Sequence, residues 1–312
     1  MGVALARVMS PGFEECLFQG EPGIKLVSGD AEAIFLPRVG MTGVSLRHRG
    51  NEYLEMPGGV AGLRERSTAG LPLLAPWANR LSSWEYTVGD THVDLTDSSL
   101  PTRDNNDLPI HGLLLASADW QIDDQRTDRG RARFDASIDV DRPEFPFRHR
   151  LSLTVSLGGD HLEVTTTLTP TGPERVPVSF GWHPYLSLAE SPRSDWLLRL
   201  PDRDHIALDR FGIPTGSATY EEAEKSPVAN RTFDDLYKIR QGRRLSIETG
   251  ELGLEMLCGS GYEYFQVWVP PGREFLALEP MVAPTNALID GTAPLVGQGD
   301  AYSAQFEVRL GT

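Results

Sequence analysis

The chain has 312 residues, of which 40% are hydrophobic and 23% are charged, a composition typical of a globular protein with a sizeable core. Its formal net charge of −15 argues against binding to nucleic acids or to anionic membranes, because both require basic patches. The two cysteines are too few for a disulfide framework, so both are expected to be free thiols, with one long-range disulfide as the alternative.

The N-terminal segment does not have the pattern of a signal peptide. The apolar run at residues 3–6 is too short for one, and Pro11 and Gly12 follow closely. No segment reaches the apolar length of a membrane helix. The expected location is therefore the cytoplasm.

Alternation of apolar and polar residues dominates the chain and predicts β-strands. Residues 84–88 and 91–96 predict a hairpin that turns at Gly89 and Asp90. A second hairpin is predicted further along the chain, where the alternation breaks at Gly158, Gly159 and Asp160 between residues 151–157 and 162–168. Further strands are expected at residues 131–138, 264–269, 275–278 and 304–310.

Helical periodicity is scarce; residues 218–224 could form a short helix, but Pro214 and Pro227 bracket them. The 31 glycines and 23 prolines suit many turns between short strands. The chain is therefore expected to be all-β, as an antiparallel β-sandwich or barrel. Residues 1–312 are expected to form a single domain, because a loop between strands explains the one candidate boundary, at residues 170–177, as well as a linker does.

Several common kinds of site are missing from the sequence. No glycine-rich dinucleotide motif, Walker phosphate loop or nucleophile elbow is present. None of the seven histidines has the close spacing typical of metal ligands, and a metal site would have to be assembled from distant residues. Neither a metal nor a cofactor is therefore expected.

Two histidines, His111 and His183, stand among prolines and glycines that restrict the backbone. The proline that follows His183 holds it in an extended conformation. Trp182 and Tyr185, on either side, offer aromatic surface that could stack on a sugar ring. For either histidine taken alone, a structural role with a backbone hydrogen bond is the better interpretation.

Glu279 ends the apolar run at residues 275–278, and strand alternation places it on the same buried face as Phe275 and Ala277. A carboxylate in such a position needs a partner or a chemical role, because burial raises its pKa. A structural ion pair is an equally good interpretation.

Other polar residues lie beside aromatic ones. Asn79 and Arg80 follow a tryptophan and could bind paired sugar hydroxyls, although a lone arginine more often forms a surface salt bridge. Asp234 and Asp235 fit the cap of a turn. Gln266 lies within a predicted strand among aromatic residues.

Taken together and in order, these segments resemble the aldose 1-epimerase (mutarotase) family. The resemblance spans residues 72–288 and rests on residues 76–80, 110–112 with Trp120, 180–185, 233–237, 266–268 and 278–287. Each motif alone is weak. Their occurrence in this order outweighs the structural interpretations of His111, His183 and Glu279.

The resemblance implies a large antiparallel β-sandwich with an open sugar-binding cleft and no cofactor. It implies an isomerase that interconverts the α and β anomers of a free aldose, such as galactose or glucose, and that is a monomer or homodimer. His183 would be the general acid and Glu279 the general base. The implied sugar-binding residues are Asn79, Arg80, His111, Asp234 and Gln266, with Tyr185 as a further contact and Asp235 as the alternative to Asp234.

In this mechanism Glu279 removes the proton of the C1 hydroxyl while His183 protonates the ring oxygen, which requires an ionised carboxylate and a protonated imidazole. Two alternative functions are considered. A hexose-6-phosphate 1-epimerase would need a basic pocket, which the acidic surface and residues 71–80 disfavour. A non-catalytic sugar-binding protein would tend to lose the acid or the base. Residues 112–117 depart from the family pattern, which leaves the preferred sugar open.

Overall fold

The computed structural model describes residues 9–188, 191–229, 231–250 and 252–311. Within these ranges the regular structure is almost entirely β, apart from one short α-helix and one 3₁₀ turn. No helix in the described chain is long and apolar enough to cross a membrane.

The strands of the first half of the chain are mostly short. In chain order they are β1 (Met9–Phe18), β2 (Glu21–Gly29), β3 (Ala31–Leu36), β4 (Thr42–His48), β5 (Asn51–Glu52), β6 (Leu73–Leu74), β7 (Glu85–Val88), β8 (Thr91–Asp94), β9 (Thr102–Arg103) and β10 (Pro109–Ile110). The helix α1 (Gly59–Arg64) lies between β5 and β6. Four long strands follow, β11 (Gln121–Asp128), β12 (Arg131–Arg142), β13 (Phe145–Gly158) and β14 (His161–Pro170).

The second half of the chain contributes the remaining strands. They are β15 (Val176–Pro177), β16 (Gly181–Trp182), β17 (Tyr185–Leu186), β18 (Leu197–Leu200), β19 (Asp202–Leu208), β20 (Pro214–Glu221), β21 (Glu224–Pro227), β22 (Phe233–Gln241), β23 (Arg244–Glu248), β24 (Gly253–Cys258), β25 (Tyr264–Val269), β26 (Leu276–Met281), β27 (Leu295–Val296) and β28 (Tyr302–Leu310). The 3₁₀ turn is Arg193–Asp195.

Three large antiparallel sheets form most of the described chain, and the pairs β7–β8, β9–β10 and β15–β27 form three two-stranded sheets. A nine-stranded sheet has the order β11-β12-β13-β14-β28-β24-β23-β18-β21. An eight-stranded sheet has the order β20-β19-β22-β25-β26-β16-β6, with β17 also paired to β26, and strands β1 to β5 form a five-stranded sheet. The resulting fold is a large antiparallel β-sandwich, as predicted.

The nine-stranded sheet is the common layer against which the other two sheets pack. From the five-stranded sheet, the Phe35 ring meets that of Phe134 edge-on, with centroids 5.4 Å apart. From the eight-stranded sheet, the Trp182 ring meets Phe306 at 5.7 Å and its indole N–H donates to Thr166 at 3.1 Å. These contacts belong to one continuous core cluster that buries the facing sides of the sheets.

Most of the strand predictions are confirmed. The predicted hairpins correspond to β7–β8 and β13–β14, and both pair antiparallel. The other predicted strands correspond to β12, β25, β26 and β28, with ends that differ by a few residues. Cys16 and Cys258 are both free thiols, as expected.

The short helix considered for residues 218–224 does not form. Its first residues belong to β20, where Ala218 lies opposite Ile206 of β19. Pairing with β19 satisfies the backbone groups of an exposed edge strand, whereas a helix of seven residues lacks enough internal hydrogen bonds to offset its nucleation cost.

Candidate active site

The eight-stranded sheet places His183 beside Glu279. His183 lies between β16 and β17, and both of these short strands pair with β26. Gly181 is opposite Met281 and Tyr185 is opposite Ala277, so the two pairings share one register. That register sets residue 183 opposite residue 279, although they are far apart in the chain.

The imidazole and the carboxylate contact each other. His183 Nε2 lies 3.3 Å from Glu279 Oε1, and the two residues are only 5% and 2% exposed. Their other polar atoms, Nδ1 and Oε2, are buried and have no hydrogen-bond partner among the described residues. Because buried polar atoms are rarely left unpaired, these two atoms are candidates for contacts with a ligand.

Burial shifts both pKa values toward the uncharged forms. It lowers the pKa of His183 to about 3. It raises the pKa of Glu279 well above its ordinary value; Asp234 adds to this shift and Arg80 opposes it. In the empty site the pair therefore favours a neutral imidazole and a protonated carboxyl group, the reverse of the charge state that anomer exchange was expected to require.

His111 packs against the same imidazole. Its ring meets that of His183 edge-on, with centroids 5.4 Å apart, and its Nδ1 is buried without a partner among the described residues. Burial, with smaller contributions from His183 and Arg80, holds its pKa well below the ordinary value, so the ring is neutral. His111 has a φ of 65°, and its N–H donates to the carbonyl of Asn79 at 2.9 Å.

Asn79 and Arg80 form one side of the site. The Arg80 guanidinium donates to Asp104 Oδ2 at 2.8 Å and to Asn79 Oδ1 at 3.1 Å, and lies 3.5 Å from Asp234 Oδ2. Asp104 also accepts the N–H groups of Leu108 and Asn106. Burial alone would raise the pKa of Asp104, but these hydrogen bonds and the guanidinium hold it below its ordinary value.

Strand alternation sends the side chains of Asp234 and Asp235 to opposite faces of β22, and Gln266 lies on the side of Asp234. Gln266 donates to Asp234 Oδ1 at 2.7 Å and lies opposite Glu279 in the β25–β26 pairing. Gln266 is buried behind Asp234 and does not reach the cavity that Asp234 lines. Asp235 points the other way, 3.3 Å from His205 Nε2.

Aromatic rings form the opposite side. Tyr185 stacks on His183 with centroids 4.8 Å apart, and its hydroxyl shares a 2.6 Å hydrogen bond with Thr68. Trp268 meets His183 edge-on at 5.5 Å, and Phe275 packs against Tyr185 at 5.2 Å. The imidazole is therefore held between a ring stack and an indole edge.

These residues enclose a cavity of about 260 Å³, which we call the inner cavity. Its wall consists of Thr68, Asn79, Arg80, Asn105, Ile110, His111, His183, Tyr185, Asp234, Trp268 and Glu279. Seven of the eight residues expected in the site thus line one cavity. Thr68, Asp104 and Asn105 were not predicted, because they lie in loops whose sequence carries no periodic or motif signal.

The fold places the protein among the galactose mutarotase-like β-sandwiches. It superimposes on a galactose mutarotase-like protein from Clostridium acetobutylicum with a TM-score of 0.85 and 19% identity, covering 96% of this chain and 98% of that one. For a galactose 1-epimerase from Lactobacillus acidophilus NCFM the TM-score is 0.78 at 12% identity, with 97% and 98% covered.

The family model for aldose 1-epimerase matches residues 24–309, and the chain belongs to that family. Among curated proteins, the uncharacterized protein YihR of Escherichia coli K12 is 24% identical over 240 residues, which span 70% of this chain and 71% of YihR.

Proposed function

We propose that this protein is an aldose 1-epimerase that interconverts the α and β anomers of a free aldose, with Glu279 as the base and His183 as the acid. The observation that carries the proposal is the buried contact between these two side chains at the wall of the inner cavity. The pair lies among hydrogen-bonding groups and aromatic rings, the combination that binds sugars.

The proton count of the reaction fits a pair that holds one proton. Ring opening begins from the imidazolium and the carboxylate: Glu279 takes the proton of the C1 hydroxyl, His183 gives a proton to the ring oxygen, and the C1–O5 bond breaks. The pair is then a neutral imidazole and a protonated carboxyl group. Rotation about C1–C2 and the reverse proton transfers close the ring as the other anomer.

The charge state favoured by the empty site is therefore the state that accompanies the open-chain sugar. The two states differ only in where one proton sits. Hydroxyl groups of a bound sugar would hydrogen-bond to the atoms that are unpaired in the empty site, such as Glu279 Oε2. Such bonds stabilise the charged forms that burial otherwise disfavours.

The neighbouring groups would hold the sugar. Arg80, Asn79 and Asp234 present donors and acceptors for hydroxyl groups, and neutral His111 can donate or accept. Gln266 would act as a positioning residue, because its amide orients the Asp234 carboxylate. Asp104 would do the same for Arg80.

Polarimetry on freshly dissolved α-glucose and α-galactose tests the proposal. We expect the wild-type protein to accelerate the approach to anomeric equilibrium without changing its position, and His183→Asn to lose most of this effect. Glu222→Gln, which removes an exposed carboxylate that is not part of the cavity wall, is the control and should behave as wild type. No acceleration of any free aldose by the wild-type protein would refute the proposal.

A hexose 6-phosphate is the alternative substrate. Arginines do line the space outside the inner cavity, but Arg66 and Arg103 among them are already bonded to protein acceptors. Comparing turnover of glucose with that of glucose 6-phosphate distinguishes the two. A clear preference for the phosphate would reject the free aldose as the substrate.

A further inference from the structure

The turn between β19 and β20, residues 209–213, lies against the side chain of Arg80. A Cβ added at Gly212 would be 3.0 Å from Arg80 Nη1 and 3.3 Å from Cζ, closer than ordinary van der Waals contact. Gly212 is not part of the wall of the inner cavity. The turn therefore meets the proposed sugar-binding groups through the Arg80 guanidinium.

The hairpin that carries this turn is seated on the segments that build the site. Ile206 and Leu208 of β19 pack against a small buried cluster that includes Ala78, Leu236 and Met281. These three residues belong to the same segments as the polar residues of the inner cavity. The position of the hairpin relative to the site is thus fixed by apolar packing.

The turn itself is closed by one aspartate. Asp209 Oδ1 accepts the N–H groups of Phe211 and Ile213 at 2.8 and 3.0 Å. The backbone adds two hydrogen bonds, from the Asp209 N–H to the Ile213 carbonyl at 2.8 Å and from the Gly212 N–H to the Asp209 carbonyl at 3.0 Å. An aspartate that bonds to the backbone two residues on restricts the turn to one conformation, so Gly212 is held at a set distance from Arg80.

The guanidinium is not free to move away from the turn. Its Nε donates to Asp104 at 2.8 Å and its Nη1 donates to Asn79 at 3.1 Å. Both acceptors are buried, the Asp104 side chain with 5% exposure and Asn79 with 4%. A side chain at position 212 would displace the guanidinium by a few tenths of an ångström at the expense of these hydrogen bonds.

We propose that Asp209 and Gly212 are positioning residues that set how Arg80 is presented to the sugar. Gly212 has a φ of 77°, but the contact with Arg80 requires a glycine there independently of the backbone conformation. This inference rests on the proposed anomer exchange, in which Arg80 binds sugar hydroxyls. Such binding contributes to the ground state and the transition state alike, so a misplaced guanidinium changes KM more than kcat.

The experiment measures kcat and KM by polarimetry with glucose and galactose. Gly212→Ala should raise KM about threefold to tenfold, the value of one net hydrogen bond, and leave kcat within about twofold. Gly216→Ala is the matched control in the same hairpin. Its φ is 84°, but a Cβ there would have no described atom within 4 Å, so the variant has the same kind of backbone strain without the contact and should keep the wild-type KM.

Asp209 gives a second test that does not depend on the folding of the glycine variant. Asp209→Ala removes the acceptor that closes the turn and should also raise KM about threefold to tenfold. Asp209→Asn keeps an oxygen at that position and should restore a KM within about twofold of wild type. A wild-type KM for Asp209→Ala would remove Asp209 as a positioning residue.

A double variant tests whether the turn acts through Arg80. Sugar Kd values from tryptophan fluorescence are compared for Arg80→Ala with and without Gly212→Ala, and the second change should have no further effect. A further loss equal to that in the wild-type background would reject the inference, and so would equal KM values for Gly212→Ala and Gly216→Ala. Either result leaves anomer exchange standing. No turnover of any sugar by the wild-type protein would overturn the proposed function and the positioning role together.

Discussion

Replacing Glu279 by glutamine should abolish most of the activity and yet make the protein more stable. The amide has the shape of the carboxyl group, and β26 keeps its pairing with β25 through the backbone. The change removes the proposed base. A positioned proton-transfer group is worth about 10²–10⁴ in rate, so kcat should fall by that factor, or about 2.7–5.4 kcal/mol in activation free energy.

The expected gain in stability follows from the buried carboxyl group. Its pKa is raised in the folded protein, chiefly by burial, so above its ordinary pKa the folded state binds more protons than the unfolded state does. The free energy of unfolding therefore falls as the pH rises from the ordinary glutamate pKa to the raised pKa of the folded protein. Glutamine does not titrate, and Glu279→Gln should be more stable than wild type near pH 7.5 by about 0.5–2 kcal/mol.

Urea denaturation at pH 7.5 and at pH 4, alongside polarimetry, checks both effects. The stability difference should narrow toward about pH 4, where the carboxyl group is protonated in the folded state and mostly protonated in the unfolded state. Glu222→Gln should show neither effect. A variant that is less stable than wild type at pH 7.5 would refute the burial argument, and kcat within about tenfold of wild type would remove Glu279 as the base.

Three further predictions concern other parts of the site. In a pH profile, kcat/KM should fall at alkaline pH, where the His183–Glu279 pair loses its one proton. At acid pH it should fall only near pH 3, because burial lowers the pKa of His183 to about 3. A fall in kcat/KM near pH 6.5 would contradict this assignment. Gly112→Ala should lower the free energy of unfolding, measured by urea denaturation, by about 2–4 kcal/mol, because its Cβ would overlap the carbonyl that precedes Pro76. The control Gly89→Ala, also at positive φ but with open space around it, should lower it by about 1–2 kcal/mol. Equal losses in the two variants would reject the overlap. Asp104→Ala should raise KM about tenfold or more with a smaller change in kcat, because the Arg80 guanidinium loses the carboxylate that orients it. An unchanged KM would show that this ion pair does not orient the guanidinium.

The long strands could be predicted from the sequence because they have one buried face. In β13 and β14 every second side chain is buried and most of these are apolar, with His149 and Thr166 as exceptions, which is the signal that periodicity detects. The strands that build the site lack this signal. β16 and β17 are two residues each, and all six residues of β26 are buried. None of the three strands therefore shows an alternation of buried and exposed side chains.

From the sequence, the site is predictable as a set of residues but not as a geometry. Proline and glycine mark His111 and His183, and the end of an apolar run marks Glu279. Their contact depends on the register of β16 and β17 against β26, which is set by long-range packing and leaves no local pattern. The same holds for Thr68 and Asp104, which act through single hydrogen bonds from loops.

Proton transfer and sugar selection are assigned to different parts of the fold. His183 and Glu279 are fixed by strand pairing in a buried layer, so their shifted pKa values are properties of the sandwich itself. The larger space outside the inner cavity is lined mostly by loop residues, such as 65–68 after α1 and 104–106 after β9, which can change without disturbing that pairing. Exchanging residues 65–67 should therefore alter the ranking of sugars by kcat/KM while the acid and alkaline limbs of the pH profile stay in place. If the pH values of these limbs change with the exchange, the pKa values of the His183–Glu279 pair depend on that loop and not on burial in the sheet.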